Sequence, residues 1–138
     1  DFVRIAEYGL IPDSGGAGAQ RGGLGFRRAY DILEDGVLIS TNGDRHNTPA
    51  WSLAGGKESN LSAYILVRDG VETRVPAASN IEVQRGDQFI VEISGGGGYG
   101  DPNSRDRALV AADVRCGRIS PEAALDAYSY DGRDLAAE

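Results

Sequence analysis

The stretch "YILVRDGVETRV", residues 64–75, constrains the fold more than any other. β-Branched and aliphatic residues alternate with charges on both sides of Asp69-Gly70, a dipeptide that accepts positive φ at the centre of a tight turn. A period of two places apolar side chains on one face and charges on the other, as a half-buried antiparallel pair requires. Asp35-Gly36 and Asn42-Gly43 also separate extended-looking segments, so each is a candidate hairpin. Strands are expected near 2–9, 24–33, 36–41, 62–68, 71–75, 80–83 and 87–93. Short strands recurring every 8 to 12 residues or so argue for a predominantly β chain, an antiparallel sandwich or barrel-like core.

The tail has a different period. In "NSRDRALVAADVRCG", Leu109, Val110, Val114 and Cys116 share one broad helical face, with Asn103 or Ser104 as N-cap and Gly117 as C-cap. Cys116 on that face reads as a small buried hydrophobe. Ser120-Pro121 then supplies a cap and a first-turn proline for a second short helix through "EAALDAY".

A chain of 138 residues suffices for one domain with one core, residues 1–138. Its net charge of -7 disfavours nucleic acid and anionic membranes as partners. No apolar run approaches the roughly 20 residues that span a bilayer. The one cysteine can form no internal disulfide, which points to a reducing, cytoplasmic setting. The sequence starts at Asp1, contains no methionine and enters "FVRIAEYGL" in mid-pattern, so the chain is expected to be one part of something larger.

Glycine makes up 20 of the residues, about double the usual share of roughly 7%. In "VEISGGGGYGDP", Gly95, Gly97 and Gly100 match the spacing of a dinucleotide-binding fingerprint. The surroundings do not: Asp101-Pro102 interrupts the exit, and no second β-rich run follows the helix. "LAGGKES" lacks the serine or threonine after lysine that a phosphate-binding loop needs. The better account is close approach of main chain, which glycine alone permits. His46, the only histidine, reads as a turn residue, and Arg85-Gly86-Asp87 as a turn into "QFIVEI". Trp51 either lines a pocket or plugs the core. Asp44-Arg45 either orients a ligand or forms a surface ion pair.

Taken in order, the blocks "LIPDSGGAGAQRGGLGFRRAY", "DRHNTPAWSLAGG", "GDQFIVEISGGGGYGDP", "RDRALVAADVRCGRIS" and "PEAALDAY" resemble the C-terminal part of hydantoinase B-type proteins. That group includes 5-oxoprolinase and the large subunits of acetone and acetophenone carboxylases. The resemblance implies an ATP-dependent system in which a hydantoinase A-type partner activates the substrate and the B-type component completes hydrolysis or carboxylation. It further implies a small subunit of a hetero-oligomer, of the acetophenone carboxylase kind, with hydantoinase A-like and B-like large partners. No cofactor is expected in this chain, and ATP and a divalent metal are expected on the partner subunits. The family's metal-binding histidines and aspartates belong to its N-terminal half, so no ligand carries over. "YSY" at 128–130 departs from the family's usual Tyr-Gly-Val. Candidate pocket or interface residues are Arg21, Gly22, Gly23, Asp44, Arg45, Trp51, Gly97, Gly98 and Tyr99. Arg21 suits a carboxylate or phosphate-bearing group, because guanidinium binds such groups through two hydrogen bonds, or else bonds to loop carbonyls. The competing reading is a stand-alone, noncatalytic β-sandwich interaction module.

Overall fold

The computed structural model describes residues 1–132. Seven strands appear where the alternation places them: β1 (Val3–Leu10), β2 (Phe26–Ile32), β3 (Val37–Asn42), β4 (Ala63–Arg68), β5 (Val71–Val75), β6 (Ala78–Val83) and β7 (Gln88–Ile93). Helices α1 (Arg107–Arg115) and α2 (Pro121–Tyr128) follow. The fold is therefore mostly antiparallel β, with two short C-terminal helices.

The strands form a five-stranded sheet in the order β1-β2-β7-β4-β5 and a two-stranded sheet, β3-β6. Of the three expected hairpins only one exists. β4 and β5 pair antiparallel across Asp69-Gly70, where both residues adopt positive φ. The other two turns do not join paired strands. The chain at Asp35-Gly36 leaves one sheet for the other, because β2 pairs with β7 while β3 pairs with β6. That crossing is pinned by Asp35, which accepts a hydrogen bond from the Arg85 amide, and by Arg85 Nε, which donates to the Leu33 carbonyl. Asn42-Gly43 opens a long loop, and Gly43 is needed there because a Cβ would lie 2.2 Å from the Tyr64 hydroxyl.

By Cα proximity the chain divides into two compact units. The first comprises Asp1–Gly9, Phe26–Thr48 and Leu61–Ile93, and holds the strands. The second comprises Leu10–Gly25, Pro49–Asn60 and the chain from Ser94 onward.

In the β unit, register puts Tyr30 opposite Phe89 and Phe89 opposite Leu66, so one face of the larger sheet is apolar. Tyr64, Val75 and Phe89 are buried there, with Tyr30, Ile39, Leu66, Ile81 and Val91 packed around them. The Arg-Gly-Asp tripeptide is the expected turn, with Gly86 at φ +94°. Its aspartate is structural: Asp87 is buried and accepts from Arg68 Nε at 2.9 Å, Arg68 Nη2 at 2.6 Å and the Gln84 amide at 2.9 Å. The Arg68 hydrogen bonds hold the Asp87 carboxyl below the usual range, against the opposing effect of burial.

The second unit has its own core, in which Ala17, Val110, Ala111, Ile119, Ala124, Tyr128 and Tyr130 are buried together. Here the expected helix face needs correction. Asp106, not Asn103 or Ser104, caps α1 by accepting from the Ala108 amide. Pro102–Ser104 form a separate turn of 3-10 helix capped by Asp101, and Arg105 then returns to extended backbone, which delays the helix. Leu109 and Cys116 are exposed while Val110, Ala111 and Asp113 are buried, because the side of the helix carrying Val110, Ala111 and Val114 is the one that packs on the core. Gly117, at φ +65°, follows the Cys116 cap as a left-handed C-terminal residue does. Ser120 and Pro121 open α2 as expected, with the Ser120 hydroxyl accepting from the Ala123 amide. At the end of α2, Ser129 occupies the left-handed region (φ 52°, ψ 36°) normally given to glycine. The "YSY" departure therefore leaves the helix stop in place at some conformational cost.

Candidate functional site: a main-chain platform

Most of the residues singled out from the sequence converge in the second unit, and glycine decides how. Three extended pieces of backbone lie side by side, with Tyr99 bridged to Gln20 on one side and to Leu53 on the other. The Gln20 and Tyr99 amides exchange hydrogen bonds with each other's carbonyls at 2.9 Å. Leu53 donates to the Gly98 carbonyl at 3.1 Å and accepts from the Gly100 amide at 3.0 Å. A second tier runs through Lys57, whose amide donates to Ala17 and whose carbonyl accepts from Gly98.

Side chains would prevent this packing. A Cβ on Gly98 would sit 2.0 Å from the Ala17 carbonyl oxygen, and one on Gly97 2.0 Å from that of Trp51. On Gly22 it would meet the Gly96 oxygen at 1.9 Å, whereas Gly23 has open space around it. Backbone thus packs directly on backbone, the close approach expected of the glycine blocks, and the surfaces brought together belong to this chain's own loops. Asn60 adds a side-chain tie, its Oδ1 accepting from the Gly95 amide.

Residues paired across a bridge project to the same side, so Leu53 and Tyr99 lie together above the platform. Both are exposed, by 52% and 56%, and so is Trp51, by 64%. Of the two readings for Trp51, the core plug is overturned: it lies outside, because its own main chain rather than its ring fills the space beside Gly97.

Arg21 leaves this surface and turns inward. Its Nε donates to Asp113 Oδ2 at 3.0 Å and its Nη1 to the Gly22 carbonyl at 2.6 Å. Arg105 Nη2 reaches the same carboxylate at 2.9 Å and its Nη1 the Ala19 carbonyl at 3.1 Å, while Arg118 bonds Oδ1 at 3.3 Å. Burial pushes the Asp113 carboxyl up, but the Arg21 hydrogen bond and charge, joined by Arg118 and Arg105, prevail and hold it below the usual range. One carboxylate thereby fixes two arginines that each grip a carbonyl of the glycine-rich loop. Asp113 was not singled out from the sequence. The available signal was an acidic residue one helical turn beyond Val110, on an inward face.

Asp44 and Arg45 lie apart, in the β unit, on an exposed loop where Arg45 adopts φ +65°. With Gly43, His46, Asn47, Thr48 and Ala77 they line a polar cavity of about 410 Å³. His46 is more than a turn residue, since its ring rests 4.5 Å from that of Tyr64. Among the described residues no three His, Cys, Asp or Glu side chains come together as a group that could hold a metal ion. None of the described helices is long and apolar enough to cross a membrane.

Residues 2–102 match the family model for hydantoinase B/oxoprolinase. The chain is 37% identical over 131 residues to the beta subunit of the Pseudomonas jessenii caprolactamase, covering 91% of this chain and 22% of that one. It is 29% identical over 129 residues to the B component of a putative D-/L-hydantoinase from a Pseudomonas strain, with the same coverage. Among solved structures, the ATP-dependent caprolactamase of P. jessenii superposes with a TM-score of 0.81 at 33% identity, over 95% of this chain and 24% of that one. Nucleotide-free acetone carboxylase shares the fold, with a TM-score of 0.76 at 21% identity, over 93% and 21% of the two chains. The sequence thus spans between a fifth and a quarter of the length of each of these relatives, and within that span the chain belongs to the hydantoinase B/oxoprolinase family.

Proposed function

We propose that the chain is a B-type component of an ATP-dependent cyclic-amide hydrolase, supplying structure and active-site loops to a reaction completed by partner polypeptides. The supporting observation is the likeness to caprolactamase, which combines 33% identity with a TM-score of 0.81 over nearly the whole chain. Caprolactam is a cyclic amide, so activation at ATP's expense followed by ring opening is the matching chemistry. Ketone carboxylation has weaker support, because the acetone carboxylase likeness at 21% identity extends to fold alone.

In this reading the platform is the chain's contribution. Its rigid main chain presents Trp51, Leu53 and Tyr99 to the shared cavity or to a neighbouring surface. ATP and a divalent metal are held by an A-type and a B-type large partner. The engagement of this chain's own buried carboxylate supports that division: Asp113 is occupied by arginines. Purification through a tag on this chain, with mass identification of what accompanies it, is expected to return A-like and B-like large polypeptides in fixed ratio. Recovery as an inert monomer without companions would favour the stand-alone interaction module.

A further inference from the structure

The two sheets of the β unit are unequal, and the shortfall is localised. Ile39 of β3 and Ile81 of β6 pack against the core of Tyr64, Val75 and Phe89 on the five-stranded sheet, and none of the described β1 residues takes part. Toward β1 and β2 that packing runs out and leaves an apolar groove of about 300 Å³, lined by Val3, Tyr30, Ile32, Ile39, Phe89 and Val91. Phe89 and Ile32 at its floor are buried, whereas Val3 at its mouth is 42% exposed. Ile39, on β3, forms the opposite wall.

The strand bordering this groove lacks the protection its counterparts carry. Sheet edges are commonly guarded against pairing by charges, prolines or bulges. β1 contains Arg4 and Glu7, β5 contains Glu72 and Arg74, and β6 contains Glu82. β3, "VLISTN", has no charge and no proline. Its Val37, Ile39 and Thr41 face inward against the partner strand's register, and its other edge is unpaired within the described residues.

We infer that the free edge of β3 accepts an additional strand from the remainder of the hydantoinase B-type protein, and that alternate apolar side chains of that strand fill the groove. The occupant is assigned from length. The caprolactamase beta subunit is 37% identical here, yet this region makes up only 22% of it, so most of that B-type polypeptide lies outside the matched region and is available to supply a strand. Strand addition supplies main-chain hydrogen bonds along the edge and specificity through every second side chain. A strand of about six residues would match β3 in length, at roughly 3.3 Å per residue. The inference rests on the reading that the chain works within a larger B-type assembly.

The test compares amide hydrogen exchange over Val37–Asn42 in the 138-residue chain alone and in the purified B-type assembly that carries this sequence, its constituents first identified by mass. The expected result is at least a tenfold slowing in the assembly at the β3 amides not bonded to β6. Val3→Lys, at the exposed mouth of the groove, is expected to weaken the association at least tenfold and leave the melting of the isolated chain unchanged. An assembly containing the B-type polypeptide in which β3 exchanges as fast as in the free chain overturns the inference and leaves the proposed function standing. Slowing that appears in the free chain as its concentration rises assigns the edge to a second copy, and also overturns it. Absence of any B-type polypeptide at the mass step defeats the proposed function itself.

Discussion

The two units of this chain are held together by opposite means. In the β unit, side chains do the packing: cross-strand register brings Tyr30, Phe89 and Leu66 onto one face, and Tyr64, Val75 and Phe89 fill the space beneath. In the loop unit, the closest packing comes from the absence of side chains, with Gly22, Gly97 and Gly98 meeting carbonyl oxygens where no Cβ fits. Its loops are then tied by charge, through the arginines that converge on Asp113. The lesson concerns what each unit tolerates. A hydrophobic core accepts volume-conserving exchange at modest cost, whereas main chain in contact with main chain has no rotamer with which to yield.

The largest effects should come from removing the central group of each unit. Phe89→Ala is expected to cost the β unit about 3–5 kcal/mol, from lost burial and the cavity left behind. Asp113→Asn is expected to cost the loop unit about as much, roughly 3–5 kcal/mol, because Arg21 and Arg105 are left buried without their counter-charge. Urea unfolding measures both. Amide exchange should localise the first loss to the strands and the second to the glycine loops and α1; uniform loosening in either variant would erase the distinction.

Next in size is a single methyl group. Gly98→Ala should cost about 1–3 kcal/mol or more, as overpacking against the fixed Ala17 carbonyl, while Gly23→Ala, with open space around it, should stay within about 0.5 kcal/mol. Equal effects at the two positions would mean that the loops yield and the platform is not rigid.

Acid should weaken both units for the same reason. Asp87 and Asp113 are each held below the ordinary carboxyl value of about 3.9, so the unfolded chain binds their protons more readily than the folded one. Their contribution is complete above the unfolded value and disappears as pH falls through the folded-state values. Stability measured from pH 7 down to pH 2 should therefore decline at the acid end, and Asp113→Asn should decline less steeply than the parent. The smallest effect expected is a gain. Ser129→Gly should add about 0.5 kcal/mol by relieving the left-handed backbone, offset in part by the greater freedom of glycine when unfolded and by loss of the hydroxyl's bond to Asn103.

The β unit was the more legible of the two in sequence, because alternation with period two is a local signal. All seven strands follow from it, although their partners do not. Asp35-Gly36 carries the composition of a hairpin turn, yet it joins strands in different sheets, a choice made by β7 and β6 some fifty residues away. In the loop unit the two helices were legible, but the platform showed only as a surplus of glycine. Which carbonyl each glycine meets depends on segments remote in sequence, as does the Arg21–Asp113 pair, separated by 92 positions. α1 shows a further limit: its apolar residues fit more than one face, and packing with Ala17, Ala124 and Tyr128 selects the side of Val110 and Ala111, leaving Cys116 exposed and Asp113 buried. Arg21 carried the right chemistry, a guanidinium suited to a carboxylate, and the carboxylate it meets is Asp113.

Turnover provides the most direct test of the account. The purified A-type and B-type assembly is assayed for ATP-dependent hydrolysis of a lactam such as caprolactam, first complete, then without this chain, then with the chain added back. The account predicts lactam-dependent ATP consumption in the complete assembly, its loss when the chain is withheld and its return on addition, with the chain by itself inactive. Full activity in the absence of the chain, or turnover by the chain alone, would contradict it.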